Sequence, residues 1–244
     1  MHIIRRLYMR FVILFFLSLS LVNANEILFK ALPLNGDSLS EKERLGKLLF
    51  HDPILSKDQT ISCATCHPLL NYGMDNLPKS FGVNGAIGHR NTPTVWNARY
   101  NIAQFWDGRA KDLKEQALMP ITNPIEMNET LESVLLKLKK NPSYNNKFNT
   151  LYDDGVTAGN LADALAAFEE TLISSGSKFD KYLQGDYKAF NKREKKGLEL
   201  FKKKGCVACH NGINVGGTLY QKIGMFERHD ALDDNDLGRY DFTK

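Results

Sequence analysis

Four cysteines stand in two matching settings, Cys63-Ala-Thr-Cys66-His67 and Cys206-Val-Ala-Cys209-His210, and the chain has no other cysteine. Thiols at i and i+3 are neighbours on one helical turn. From there both sulfurs can reach the two vinyl groups of one porphyrin, and the adjoining histidine can approach the iron as its proximal ligand. The pattern implies two covalently bound haem c groups, one on Cys63, Cys66 and His67 and one on Cys206, Cys209 and His210. A zinc site drawn from both pairs would share the Cys-x-x-Cys spacing but has no need of a histidine after each pair. A thioredoxin-like redox pair would sit near a βαβ pattern, which is absent. With every thiol used by the motifs, none is left for a disulfide elsewhere. A six-coordinate haem passes electrons, whereas a haem with an open face binds a small oxidant. Two haems in one chain permit both roles.

The elements that position these motifs read as helices. Ser40 and Glu43 form a capping box ahead of Leu45, Leu48 and Leu49. Leu131, Val134, Leu135 and Leu138 recur with helical period. A further helix begins near Pro142 and aligns Tyr144, Phe148 and Leu151, and another starts at Thr157 and aligns Leu161, Leu165, Phe168 and Leu172. Asn191 and Glu194 repeat the capping logic before Leu198 and Phe201, on a helix that runs into the second motif. No strand of period two is evident. The fold class is mainly α, with two cytochrome c-like haem domains and long loops. The longest loop, Pro68 to about Tyr100, follows the first motif directly and is expected to fold over its haem.

The N-terminus reads as an export signal. Arg5, Arg6 and Arg10 precede a 12-residue apolar run, Phe11 to Val22, and Val22-Asn23-Ala24 offers small residues for cleavage. That run is short for a bilayer span, which needs about 20 residues. A retained N-terminal anchor is the rival reading. Without residues 1–24 the chain keeps 29 basic against 28 acidic residues, so its charge carries no nucleic-acid inference. The expected layout is a signal peptide over 1–24, an N-terminal haem domain over 25–173 and a C-terminal haem domain over 174–244. The expected location is the periplasm, with no membrane association after cleavage.

The stretches Asn91-Thr-Pro-Thr-Val-Trp-Asn97 and Ala103-Gln-Phe-Trp-Asp-Gly-Arg-Ala110, with Glu115-Gln116 and Pro124-Ile-Glu126-Met127, closely resemble the bacterial di-haem cytochrome c peroxidases. The likeness runs from about Ala31 to the last residue. It implies that the haem on His67 is the peroxidatic centre. The haem on His210 then receives electrons from a small c-type cytochrome or cupredoxin. Trp106 matches the tryptophan that relays electrons between haems. Gln116 and Glu126 match the pair lining the hydrogen peroxide pocket, and Asn91 matches a side-chain contributor to a calcium site. Homodimers are common in the family. Taken singly, Trp106 reads as core, and Gln116 and Glu126 as solvated positions. The resemblance reverses that.

Two departures stand out. Val83 occupies the position where many members hold a distal histidine, and an aliphatic side chain cannot ligate iron. The first haem is therefore expected to be five-coordinate or water-bound unless His89, in the same loop, substitutes. The chain also stops at Lys244, ahead of the segment that supplies the distal methionine of the second haem, so the second domain reads as incomplete. Met225 and His229 are candidate ligands for that iron, and His51 reads as an ordinary polar residue. The leading expectation is a peroxidase. The alternatives are an electron-transfer di-haem cytochrome and an impaired fragment without turnover.

Overall fold

Capping decides where the helices begin. The computed structural model describes residues 28–34, 36, 38–224, 227 and 235–244. The expected signal peptide, Met225 and His229 lie outside them. In chain order the helices are α1 (Glu41–His51), α2 (Cys63–Cys66), α3 (Leu113–Thr122), α4 (Leu131–Lys140), α5 (Pro142–Leu151), α6 (Ala158–Glu169), α7 (Lys178–Leu183), α8 (Lys192–Lys203) and α9 (Tyr240–Thr243). At α1 the Ser40 hydroxyl accepts from the Glu43 N–H at 3.3 Å, and the Glu43 carboxylate accepts from the Ser40 N–H at 2.6 Å. Thr130, Asn141 and Thr157 cap α4, α5 and α6 through their side-chain oxygens alone, without the reciprocal bond, each accepting from a donor the helix leaves orphaned. Strand structure among the described residues amounts to three isolated bridges, so the fold is mainly α as expected.

The chain divides into two units. The larger, Pro33–Ser175 with Gly217–Lys244, is built on α6, which packs against α1 on one side and α3 on the other. Leu45, Leu49 and Phe50 of α1 meet Leu161, Leu165 and Phe168 of α6 in one buried cluster. Each such side chain, fully buried, stabilises the fold by about 1.5–3 kcal/mol. Gly46 lets the two helices touch, because a Cβ there would overlap the Ala164 carbonyl. Asp163 ties the three helices together. It pairs with Lys42 of α1 at 2.7 Å and with Lys114 of α3, and it accepts from the Tyr152 hydroxyl at 3.0 Å. Burial works against its ionisation, but these partners hold its carboxyl down to about 2. The 217–244 segment joins this unit through Arg90, whose Nε and Nη2 each donate to Asp236 at 2.6 Å. Arg239 donates to the carbonyls of Asp107 and Gly108 and lies 4.0 Å over the Tyr220 ring.

The described part of the smaller unit is residues 28–32 with Gly176–Gly216. Phe29 packs its ring 5.3 Å from Phe179 and 6.4 Å from Phe201. The Leu32 N–H donates to Asp180 at 2.8 Å in a buried bond. α8 opens on the Asn191–Glu194 capping box anticipated from sequence and has no buried residue, since Leu198 and Phe201 are only half-covered. No described helix is long and apolar enough to cross a membrane.

Candidate haem and active site

The two motifs share one closing hydrogen bond, although the first turn is α-helical over Cys63–Cys66 and the second is a 3-10 turn over Cys206–Ala208. His67 N–H donates to the Cys63 carbonyl at 2.9 Å, and His210 N–H donates to the Cys206 carbonyl at 2.9 Å. Each turn thus closes over its own cysteines and presents the histidine ring at its end. The His67 Nδ1 lies 3.0 Å from the Gly73 carbonyl, and the His210 Nδ1 lies 3.3 Å from the Val215 carbonyl. A carbonyl can only accept, so Nδ1 carries the proton in both rings and Nε2 keeps its lone pair for a metal. Burial also pushes the His67 imidazole below its ordinary range, favouring the neutral ligand form. Burial pushes the Cys66 thiol up to about 11 and the Cys63 thiol higher still. Among the described residues no group of three or more His, Cys, Asp or Glu gathers around a metal position.

The first motif opens onto a cavity of about 700 Å³ lined by Cys63, Cys66, His67, Trp106, Gln116 and Glu126 among others. Its size falls in the range of cofactor and ligand sites. Two sulfurs, an imidazole nitrogen with a free lone pair and largely apolar walls are a donor set and an enclosure that fit a haem. Phe81, Gly82, Pro93 and Thr94 of the long loop line this cavity, as expected of a loop that covers the cofactor. His89 also lines it. His51 does not, and its Nδ1 instead lies 2.9 Å from the Lys47 carbonyl within α1.

Glu126 follows α3 in a turn organised by Asn123. The Asn123 side chain donates to Glu126 Oε1 at 2.6 Å and accepts from the Ile125 N–H at 3.2 Å, while its carbonyl accepts from Glu126 N–H at 3.0 Å. Burial raises the Glu126 carboxyl above its ordinary range, and the Asn123 amide and Arg109 pull it part of the way back. The long loop meets this turn from the other side. Val83, 2% exposed, donates its N–H to the Glu126 carbonyl at 2.8 Å. Gly82 lies so close that a Cβ would overlap the backbone oxygens of Ile125 and Glu126. Trp106 sits in a tight loop closed by the Gln104 N–H to Ala110 carbonyl bond at 2.7 Å, and its indole N–H donates to the Asn91 carbonyl at 2.8 Å. It is 54% exposed, so it is not the core residue that tryptophan taken alone suggests. The Asn91 side chain donates to the Leu77 carbonyl at 2.7 Å, which leaves its amide oxygen to accept.

Sequence reasoning missed two residues here. Asn123 precedes a proline and reads as a turn former. Glu169 ends α6 at 6% exposure and lines the same cavity, where burial alone pushes its carboxyl up to about 8. An acid inside an otherwise apolar helical stripe is the signal that would have found it.

Comparison with known proteins agrees with the geometry. The family model described as di-haem cytochrome c peroxidase matches residues 40–188. The cytochrome c551 peroxidase of Pseudomonas aeruginosa is 46% identical over 228 residues, covering 89% of this chain and 66% of that protein. The cytochrome c551 peroxidase of Nitrosomonas europaea is 48% identical over 205 residues, covering 84% of this chain and 61% of that protein. The methylamine utilization protein MauG of Methylorubrum extorquens is 39% identical, covering 83% of this chain and 57% of that protein. The chain therefore spans less than two thirds of the length of these relatives. In fold it resembles a crystal structure of a MauG-like protein associated with microbial copper homeostasis, with a TM-score of 0.72 at 24% identity over 88% of this chain and 68% of that one. Two Cys-x-x-Cys-His turns closed by the same backbone bond, a cavity on the first of them, and a match over most of the chain make this protein a member of the di-haem cytochrome c peroxidase family.

Proposed function

We propose that this chain carries two haem c groups and reduces hydrogen peroxide to two waters, consuming two electrons and two protons. The observation that carries the reading is that Glu126 and Gln116 line the same cavity as Cys63, Cys66 and His67. When bound there, haem supplies an iron that takes up peroxide and passes it electrons. His67 would hold that iron through Nε2, since its Nδ1 faces the Gly73 carbonyl. Glu126 takes a proton from one peroxide oxygen and returns it to the other, the task of a carboxyl whose burial brings its affinity for protons toward neutral pH. Asn123 fixes the carboxylate for that transfer. Gln116 orients the departing hydroxyl through its amide. Val83, whose side chain cannot ligate iron, would supply no protein ligand to compete with peroxide at its own position, and among the described residues His89 is the one imidazole besides His67 on the cavity wall. Cys206, Cys209 and His210 would hold the haem that accepts electrons from a small c-type cytochrome or cupredoxin, and Trp106 would relay them toward the first motif. The resemblance extends the reading to a periplasmic location and a homodimer.

Glu126→Gln provides the test, since it keeps shape and removes the titrating proton. Peroxide turnover should fall by at least about 10²-fold, with haem content and the visible spectrum unchanged. Turnover equal to that of the unaltered protein would remove Glu126 from the mechanism, and absence of peroxide turnover in the unaltered haem-loaded protein would leave an electron-transfer cytochrome in place of the peroxidase.

A further inference from the structure

Charge in this protein is segregated. Residues 176–216 hold ten of the 29 lysines and arginines of 25–244 but only four of its 28 acidic residues, a balance of +6 against −5 for the remainder. Most of the excess lies on α8 and the two residues that follow it. Lys192, Lys196, Leu200 and Lys204 recur every four residues, the spacing that stacks side chains on one helical face, and all four are exposed. Arg193 and Lys203 flank them and are exposed as well. Gly205 then leads directly into Cys206. Apolar surface lies in the same unit, with Leu200 46% and Val215 36% exposed.

A solvated helix face is the ordinary meaning of such a run. The helix dipole accounts for Lys202 and Lys203 in the last turn. It does not account for Lys192 and Arg193 in the first turn, where positive charge is unfavourable by the same physics. Like charges at i and i+4, such as Lys192 and Lys196, oppose helix formation further. Local stability therefore does not explain this distribution.

We propose that the exposed basic face of α8, continuous in sequence with the second Cys-x-x-Cys-His motif, is the docking surface for an acidic small redox protein that donates electrons to the second haem. The proposal rests on the reading above, in which that haem is the point of entry. Charge complementarity selects the partner. A basic face steers a carboxylate-rich protein toward it and repels a basic one, acting mainly on the association rate. Redox encounters bury little surface, so a few exposed apolar side chains within a charged field suffice.

The test uses the full chain loaded with haem and its K192E/K196E/K203E variant. All three lysines are exposed, and no cap bond of α8 uses their side chains. The probes are plastocyanin, an acidic cupredoxin, and mitochondrial cytochrome c, which is basic. Binding is followed by calorimetry at low and physiological salt, alongside peroxide-dependent oxidation of the reduced probes. The unaltered protein should bind plastocyanin and not the basic cytochrome. Affinity should fall about tenfold or more on adding salt, and the variant should show a similar loss at low salt. Equal binding by the variant, or preference for the basic cytochrome, would overturn the proposal. So would binding to phosphatidylserine vesicles without binding to plastocyanin, which would assign the face to an anionic membrane. Salt-sensitive docking without peroxide turnover would sink the peroxidase reading alone, while turnover undiminished in the variant would sink only the docking surface.

Discussion

Glu126 is held between opposing influences, and the balance sets the pH at which it can work. Burial favours its protonated form, while the Asn123 amide and Arg109 favour the carboxylate. A hydrogen bond to a charged group is among the stronger ones a protein makes. Asn123→Ala removes the bond that favours the charged form, so the Glu126 pKa rises. Activity that requires the carboxylate is then lost at a higher pH as acid is added. The acidic limb of kcat/KM against pH should move to higher pH, with haem content unchanged. An unmoved limb would mean that Asn123 merely closes a turn. Glu126, Gln116 and Trp106 were legible in the sequence because the residues around them resemble a known family. Asn123 was not, because its contribution is a contact between side chains three residues apart within a turn, and such a contact carries no periodic trace.

Among the elements, the most demanding contact is the crossing of α1 and α6. Gly46 stands where any side chain would strike the Ala164 carbonyl, and Phe168 Cβ closes the same space. A backbone oxygen cannot change rotamer to make room, so Gly46→Ala must push the helices apart and loosen the buried cluster of Leu45, Leu49, Phe50, Leu161 and Leu165. Overpacking of this kind costs about 1–3 kcal/mol or more, and the thermal midpoint should fall by roughly 5 °C, as read by circular dichroism. An unchanged midpoint would mean that the crossing is wider in solution. Helices α1, α4, α5, α6 and α8 were readable because each combines a capping residue with an apolar stripe. Helix α3, which carries Gln116, escaped because Pro120 lies inside it and its apolar stripe is weak. The long loop has no period because its bonds are not local. Thr94 donates to the Tyr72 carbonyl at 2.6 Å, and the Asn97 N–H donates to the Leu172 carbonyl at 2.7 Å.

On the scale of the whole molecule, two motifs closed by the same backbone bond sit in units with very different surroundings. The first motif belongs to a unit with an extensive buried core of its own, into which Cys63 and Ala64 pack. The second adjoins α8, which buries nothing completely. The sequence announced both motifs, since spacing alone defines them. It gave no sign that 217–244 joins the larger unit, because that depends on Arg90 meeting Asp236 across 146 positions. A core complete in itself should survive loss of the other cofactor, so Cys206→Ala with Cys209→Ala should remove one haem and leave the other attached. The intact mass should drop by one porphyrin, the Soret band should fall to about half, and helical circular dichroism should change little. Loss of both haems from that variant would show that the larger unit cannot hold its cofactor alone, because the buried cluster around α1 and α6 would then depend on the smaller unit for its stability.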